Sequence, residues 1–253
     1  MYKFKEDNMK VPAFIWSGEG TIEEGALQQL KNASSLPFAF HHTVLCPDGH
    51  IGYGAPIGGI LATENVIIPN FVGKDIGCGL CTVKTSLTNI DTETLKKIMG
   101  GIRKMVPLGF KHHKQSQEVR LMPGVLNLED DKDKATKGDF DATESHDIDK
   151  YPIIGQEFNN ALKQIGTLGG GNHFIEIQKG SDGHIWIMIH SGSRNIGLKT
   201  ADYYNNLAIK LNNKWHSEIP EKWELAFLPM DSEEGQNYLN EMNYCVDFAL
   251  AKR

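Results

Sequence analysis

The chain has 253 residues, enough for one large domain, and 40% are hydrophobic, as in an ordinary globular protein able to build a sizeable core. The formal net charge of −6 excludes a uniformly basic nucleic-acid binder. No apolar run approaches the roughly 20 residues that cross a bilayer, and the amino terminus has no apolar signal core, so the chain reads as cytoplasmic. Its four cysteines (Cys46, Cys78, Cys81 and Cys245) are scattered, which suits a reducing compartment better than a disulfide framework.

In chain order, Val11 to Trp16 reads as a short strand. Thr21 to Lys31 reads as a helix, with Thr21 as N-cap and Glu24 completing a capping box. His42 to Cys46 is strand-like and meets a turn signal at Pro47-Asp48-Gly49. If His41 and His42 share that strand, they face apart. Glycine is dense from Gly49 to Gly79, which predicts short strands and tight turns where the backbone passes close to something. Leu80 to Lys84 reads as a strand and Thr92 to Val106 as a helix. Between Glu129 and Asp149, nine acids face three lysines, so this one segment carries the charge of the whole chain. Residues 122–150 therefore read as an acidic surface insertion in a single domain spanning 1–253.

Ile153 to Ile165 reads as a helix. His173 to Ile177 and His184 to Ile189 read as an antiparallel hairpin, joined by Lys179-Gly180-Ser181-Asp182-Gly183. From Lys199 to Arg253 the pattern is mostly helical. The irregular mixture predicts an α+β fold with mixed sheets, short Gly-rich connections and helices packed around a metal-bearing cleft.

The chemistry concentrates in glycine-set motifs. Asp75-Ile76-Gly77-Cys78-Gly79 offers a carboxylate and a thiol three residues apart, a donor pair for manganese, iron or zinc. A buried small cysteine beside a turn aspartate is the alternative. Cys78 and Cys81 form a C-x-x-C, but on a strand they point to opposite faces and cannot share one ion. His173 opens the first hairpin strand and His190 closes the second, so both imidazoles fall at the open end of the hairpin. Gly169-Gly170-Gly171-Asn172 lacks the lysine and hydroxyl of a Walker loop; it leaves room for a ligand and offers Asn172 as a donor. In Ser191-Gly192-Ser193-Arg194, Arg194 suits bidentate phosphate binding; a surface arginine on a turn is the alternative. Asp48 and His50 can orient a ligand from behind. Lys111-His112-His113-Lys114 is a small basic cluster, either simply solvated or able to touch a polyanion.

The motifs also resemble one family. Pro47-Asp48-Gly49-His50-Ile51-Gly52-Tyr53-Gly54 with Pro56-Ile57-Gly58-Gly59, then Asp75 to Gly79, then Gly166 to Glu176, then His190 to Arg194 are similar, in order, to the motifs of the RtcB-type RNA-splicing ligases. The resemblance implies joining of RNA 2',3'-cyclic phosphate or 3'-phosphate ends to 5'-hydroxyl ends with GTP and Mn2+. It implies Asp75, Cys78, His173 and His190 as ligands of two ions, with Cys78 bridging them. It implies Asn172 at the guanylate phosphate and Arg194 at a phosphate of nucleotide or RNA. The family's further metal-binding histidine and guanylylated histidine lie past its last motif found here, so the catalytic nucleophile is expected to be absent from this chain. Two other readings are a metal- and RNA-end-binding piece without catalysis, and a metal-dependent cyclic phosphoesterase.

Overall fold

The structure, a computed structural model, describes residues 1–123 and 151–253. The architecture is α+β, with three small sheets and six α-helices among the described residues. Apart from its first two residues, the expected acidic insertion lies outside the described residues. The described residues group into two compact units: Met1–Lys74 with Ala201–Leu239, and Asp75–Thr200 with Asn240–Arg253.

In the first unit, strands β1 (Tyr2–Phe4), β2 (Ala13–Ile15), β3 (Ala39–His50) and β4 (Ile57–Thr63) lie in that order in one sheet. Strands β2 and β3 are parallel, and helix α1 (Glu24–Ser34) makes the crossover between them. Alternation along β2 sends Ala13 and Ile15 to one face, where they meet Ala26 and Leu30 of α1 and Leu45 of β3 in a sealed cluster. A second cluster joins Val11, Leu36, Ala39, Ile68 and Leu225. Strand β5 (Val66–Ile67) pairs with β9 (Leu228–Pro229).

Three local expectations change here. Helix α1 starts at Glu24 without a side-chain cap, because the Thr21 hydroxyl donates instead to the Gly18 carbonyl at 2.7 Å. Strand β3 does not stop at Cys46; it runs through Pro47-Asp48-Gly49 to His50, with a register shift against β4 between Leu45 and His50 absorbing the proline. His41 and His42 do not face apart. His41 has φ +59°, which breaks the alternation and brings the two rings to 4.7 Å between centroids.

In the second unit, β6 (Gly79–Lys84), β7 (Phe174–Lys179) and β8 (Ile185–Ser191) form an antiparallel sheet in the order β6-β8-β7. The expected hairpin is present, with Phe174 opposite His190. Helix α3 (Thr92–Met105) is capped by Asp91, whose carboxylate accepts from the Thr94 amide at 2.9 Å. Helix α4 (Pro152–Ala161) takes its cap from a distant residue: the buried Glu241 carboxylate accepts from the amides of Ile153 and Ile154 at 3.3 and 3.2 Å. The long helix α5 (Arg194–Lys214) begins in this unit and α6 (Glu233–Lys252) ends in it, and α2, in the first unit, is the single turn Pro69–Val72. Ile76, Ile154, Ile196, Phe248 and Ala249 are fully buried here. Among the described residues no helix is long and apolar enough to cross a membrane.

Candidate metal centre

Three of the four expected ligands sit at one edge of the β6-β8-β7 sheet. Cys78 immediately precedes β6, His173 immediately precedes β7, and His190 is the penultimate residue of β8. The ladder sets Gly79 opposite Ser191 and Leu80 opposite His190, so antiparallel pairing alone draws Cys78 to the end of β8. Asp75 arrives on the tight turn before Cys78, closed by the Cys78 amide donating to the Asp75 carbonyl at 3.0 Å.

That turn depends on two glycines. Gly77 has φ +73°, and a Cβ there would press to 2.9 Å on the Val246 Cα of helix α6. Gly192 faces the Asp75 side chain, and a Cβ added to it would fall on the carboxylate. The absence of a side chain at Gly192 therefore leaves the space that the carboxylate occupies.

The donor atoms converge. One oxygen of Asp75, the sulfur of Cys78 and one ring nitrogen of His173 all lie within 4.8 Å of one another. His173 Nε2 is 2.8 Å from Asp75 Oδ2 and 3.7 Å from Cys78 Sγ. On its other side Cys78 Sγ is 3.0 Å from His190 Nε2, and the two imidazoles are 5.5 Å apart between centroids. The sulfur thus stands between an Asp75–His173 pair and His190.

The tautomer of His173 follows from its neighbours. Nδ1 lies 3.1 Å from the Leu168 carbonyl, which can only accept, so Nδ1 carries the hydrogen. In the neutral ring Nε2 then presents a lone pair to the Asp75 carboxylate at 2.8 Å. Two acceptors at that distance need a proton, on the ring or on the carboxyl group, or a cation between them. A carboxylate, a thiol and imidazoles are donors that manganese, iron and zinc accept, so the set fits a divalent ion of that group. The Cys78 side chain reaches solvent, yet the protein around its sulfur pushes the thiol up to about 12, and the Asp75 carboxylate adds to the effect. Without a cation the sulfur is a thiol; a bound metal displaces that proton.

Two further residues enter that sequence reasoning missed. Lys252, the last residue of α6, is buried and donates to the Thr167 carbonyl at 2.7 Å and to the Ser191 hydroxyl. Burial pulls its ammonium down to about 7, and the Arg194 guanidinium adds to this. The Ser191 hydroxyl in turn donates to Leu168, the carbonyl that orients His173. Arg253 donates to the Gly77 and Ser191 carbonyls at 2.8 and 2.5 Å, tying the Asp75–Cys78 turn to the end of β8. Basic residues closing a helix read as complements to its dipole, and no local pattern marks Lys252 as buried or Arg253 as partly buried.

Arg194 opens α5 in the left-handed region, at φ +61°. Its Nε donates to Thr167 Oγ1 at 3.2 Å and its Nη2 to the Gly109 carbonyl at 2.6 Å. Part of the fork expected for a phosphate therefore braces the 107–111 turn. Burial lowers the Arg194 pKa from its ordinary value, while the Asp75 carboxylate opposes this. Asn172 is exposed in the turn ahead of His173. Cys81, in β6 opposite Ile189, is a free cysteine. In the first unit His50 Nδ1 lies 2.8 Å from the Asp48 carbonyl.

A family model described as tRNA-splicing ligase RtcB matches residues 29–253. The chain is 33% identical over 242 residues to an RNA-splicing ligase RtcB of Escherichia coli K12, a match covering 96% of this chain and 58% of that protein. It is 32% identical to a tRNA-splicing ligase RtcB of Thermococcus kodakarensis and 34% identical to that of Nanoarchaeum equitans, each over 282 aligned residues, 98% of this chain and 58% of the relative. The chain thus spans 58% of the length of each of these three relatives.

Proposed function

The chain belongs to the RtcB family, and from that premise we propose that it holds the metal and phosphate groups of an enzyme that joins RNA 2',3'-cyclic phosphate or 3'-phosphate ends to 5'-hydroxyl ends, with GTP and Mn2+. The observation that carries this reading is the placing of Cys78 Sγ between His173 Nε2 and His190 Nε2, with Asp75 against His173. A sulfur so placed can bridge two ions, one beside Asp75 and His173, the other beside His190.

When bound, the divalent ions supply Lewis acidity to a phosphoryl oxygen and lower the pKa of water. The protein's own groups do the rest. Asp75 and Cys78 contribute anionic donors that offset cation charge. The Leu168 carbonyl holds His173 with Nε2 facing inward. Arg194 brings a fixed positive charge against a phosphate, and Asn172 offers an amide to the guanylate phosphate. RNA and GTP are the partners of this reading, and the cytoplasm is its compartment.

The test is product analysis. RNA carrying a 2',3'-cyclic phosphate and a second RNA with a 5'-hydroxyl are incubated with the protein, Mn2+ and GTP. Joined RNA that requires GTP is the expected result when the part of the family's sequence that carries the guanylylated histidine is present with this chain. Release of 3'-phosphate RNA without joining, and without need of GTP, would instead make the centre a cyclic phosphoesterase. Binding of Mn2+ and RNA with no turnover would make it a binding module.

A further inference from the structure

Phe110 is the most exposed large apolar residue among the described residues, with 104% of its reference surface open, and the backbone of its turn is held by several hydrogen bonds. The Gly109 amide donates to the Gly169 carbonyl at 2.7 Å, and the Leu168 amide donates to the Pro107 carbonyl at 3.0 Å. The Lys111 amide closes the turn on the Leu108 carbonyl at 3.1 Å, and Arg194 Nη2 donates to the Gly109 carbonyl. The His113 amide reaches the Lys163 carbonyl at 2.9 Å. Exposure of the ring is therefore a property of a fixed turn. An aromatic ring standing in water forgoes its burial, and because the backbone beneath it is already fixed, stacking a ligand on the ring orders only its side-chain torsions.

The setting is cationic. From Arg103 to Gln117 the chain carries Arg103, Lys104, Lys111 and Lys114, with His112 and His113, and no carboxylate. Lys111, His112 and Lys114 are exposed beside Phe110. The same turn hydrogen-bonds the glycine loop that leads to Asn172 and His173. Met105 and Leu108 add exposed apolar surface on the same segment, but a run of cations without a carboxylate disfavours a protein partner, whose interface cores are depleted of charge. A ring among lysines matches an unpaired base with flanking phosphates.

We propose that Phe110, flanked by Lys111 and Lys114, is a stacking platform for an unpaired RNA base next to the reacting end. This inference rests on the reading of the chain as part of an RNA-joining enzyme and names the surface that grips the strand. The base lies on the ring, and the lysines neutralise the phosphates on either side.

The test is fluorescence anisotropy with a labelled single-stranded RNA of about ten nucleotides bearing a 3'-phosphate. Phe110→Ala and Phe110→Leu should each weaken binding by on the order of tenfold, because neither offers a π-face. Phe110→Trp should bind as the wild type does, with RNA quenching the fluorescence of the added indole. Lys111→Gln with Lys114→Gln should reduce the slope of log affinity against log salt by about 1.4, roughly 0.7 for each phosphate contact removed. Equal affinity of Phe110→Ala and wild type would overturn the platform and leave the proposed function standing. Full affinity of Phe110→Leu would also overturn it, since bulk alone would then suffice. A wild type that binds anionic vesicles and no RNA would remove both.

Discussion

Cys78 Sγ lies 3.0 Å from His190 Nε2 although 112 residues separate them in sequence. The contact follows from a single ladder: β6 and β8 are antiparallel with Gly79 opposite Ser191, so the residue before β6 must meet the end of β8. The same sulfur is 3.7 Å from His173 Nε2. Replacing Cys78 by Ala should therefore affect more than one ion. The expected outcome is loss of tight Mn2+ binding at both positions, and loss of the thiolate-to-cobalt charge-transfer absorption when Co2+ is used as the probe. Unchanged stoichiometry in equilibrium dialysis would reject the bridge.

The state of that sulfur predicts a pH dependence. Burial and Asp75 hold the metal-free thiol at about 12, so near neutrality it is protonated, and a cation must displace the proton. Affinity should rise about tenfold per pH unit between about pH 6.5 and 8.5 for each proton released. Calorimetry in buffers of different ionisation enthalpy counts those protons directly. In Cys78→Ala both the heat of Mn2+ binding and the proton release should be lost.

Gly192 tests the geometry from another side. A Cβ at this position falls on the Asp75 carboxylate. Gly192→Ala should cost about 1–3 kcal/mol in stability through overpacking and weaken Mn2+ binding by displacing the carboxylate. The informative variant is Gly192→Ala combined with Asp75→Ala. It should recover stability relative to Gly192→Ala alone, because the clash has gone, while metal affinity stays low. Additive stability losses in urea unfolding would show that the two residues do not oppose each other.

Lys252 supplies a second prediction about pH, for folding stability instead of metal affinity. Its ammonium is buried and drawn down to about 7, whereas the ordinary value is 10.5. Between those values the unfolded chain holds a proton that the folded chain has released, so folding stability rises with pH. The contribution is at most about 1.4 kcal/mol per unit. Urea unfolding of the metal-free protein from about pH 7 to 8 should show this rise; above that the thiols of the unfolded chain, whose ordinary pKa is about 8.5, ionise and oppose it. Lys252→Met should flatten it and lower stability by about 1–3 kcal/mol, since the Thr167 carbonyl and Ser191 hydroxyl lose their donor. A rise of equal slope in the variant would assign it to another group.

What could be read from the sequence divides along physical lines. The hairpin of β7 and β8 was legible because strand runs flank a short Gly-Ser-Asp-Gly turn, and the common edge for His173 and His190 followed from it. The strand at β6 was legible too, but its place beside β8 was not, because pairing across some hundred residues leaves no local signal. Helix α3 matched its periodicity within a residue, whereas α1 misled: Thr21 has the chemistry of an N-cap, but its hydroxyl is already bonded to Gly18. His41 escaped the strand rule through one left-handed φ. The largest omission was the end of α6. Nothing local distinguishes a buried Lys252 that supports the glycine loop from a surface lysine complementing a helix dipole.

Arg194 is where phosphate chemistry and loop architecture meet in one side chain. Its Nε is taken by Thr167 Oγ1 and its Nη2 by the Gly109 carbonyl, at a backbone φ of +61° that a non-glycine residue holds only when its surroundings enforce it. Lysine keeps the charge but has no planar fork, so it cannot span both partners. Arg194→Lys should therefore leave Mn2+ content unchanged and weaken RNA affinity. It should also speed hydrogen exchange at the amides of Gly109 and Lys111, which the arginine braces. Arg194→Gly sharpens the comparison: it relieves the left-handed backbone yet removes every side-chain bond, so it should exchange as fast as the lysine variant or faster. If Arg194→Lys lost RNA affinity while those amides kept wild-type protection, the role of Arg194 would be electrostatic alone. If the amides opened while RNA affinity held, its role would be bracing alone, and the phosphate contact would have to come from another residue.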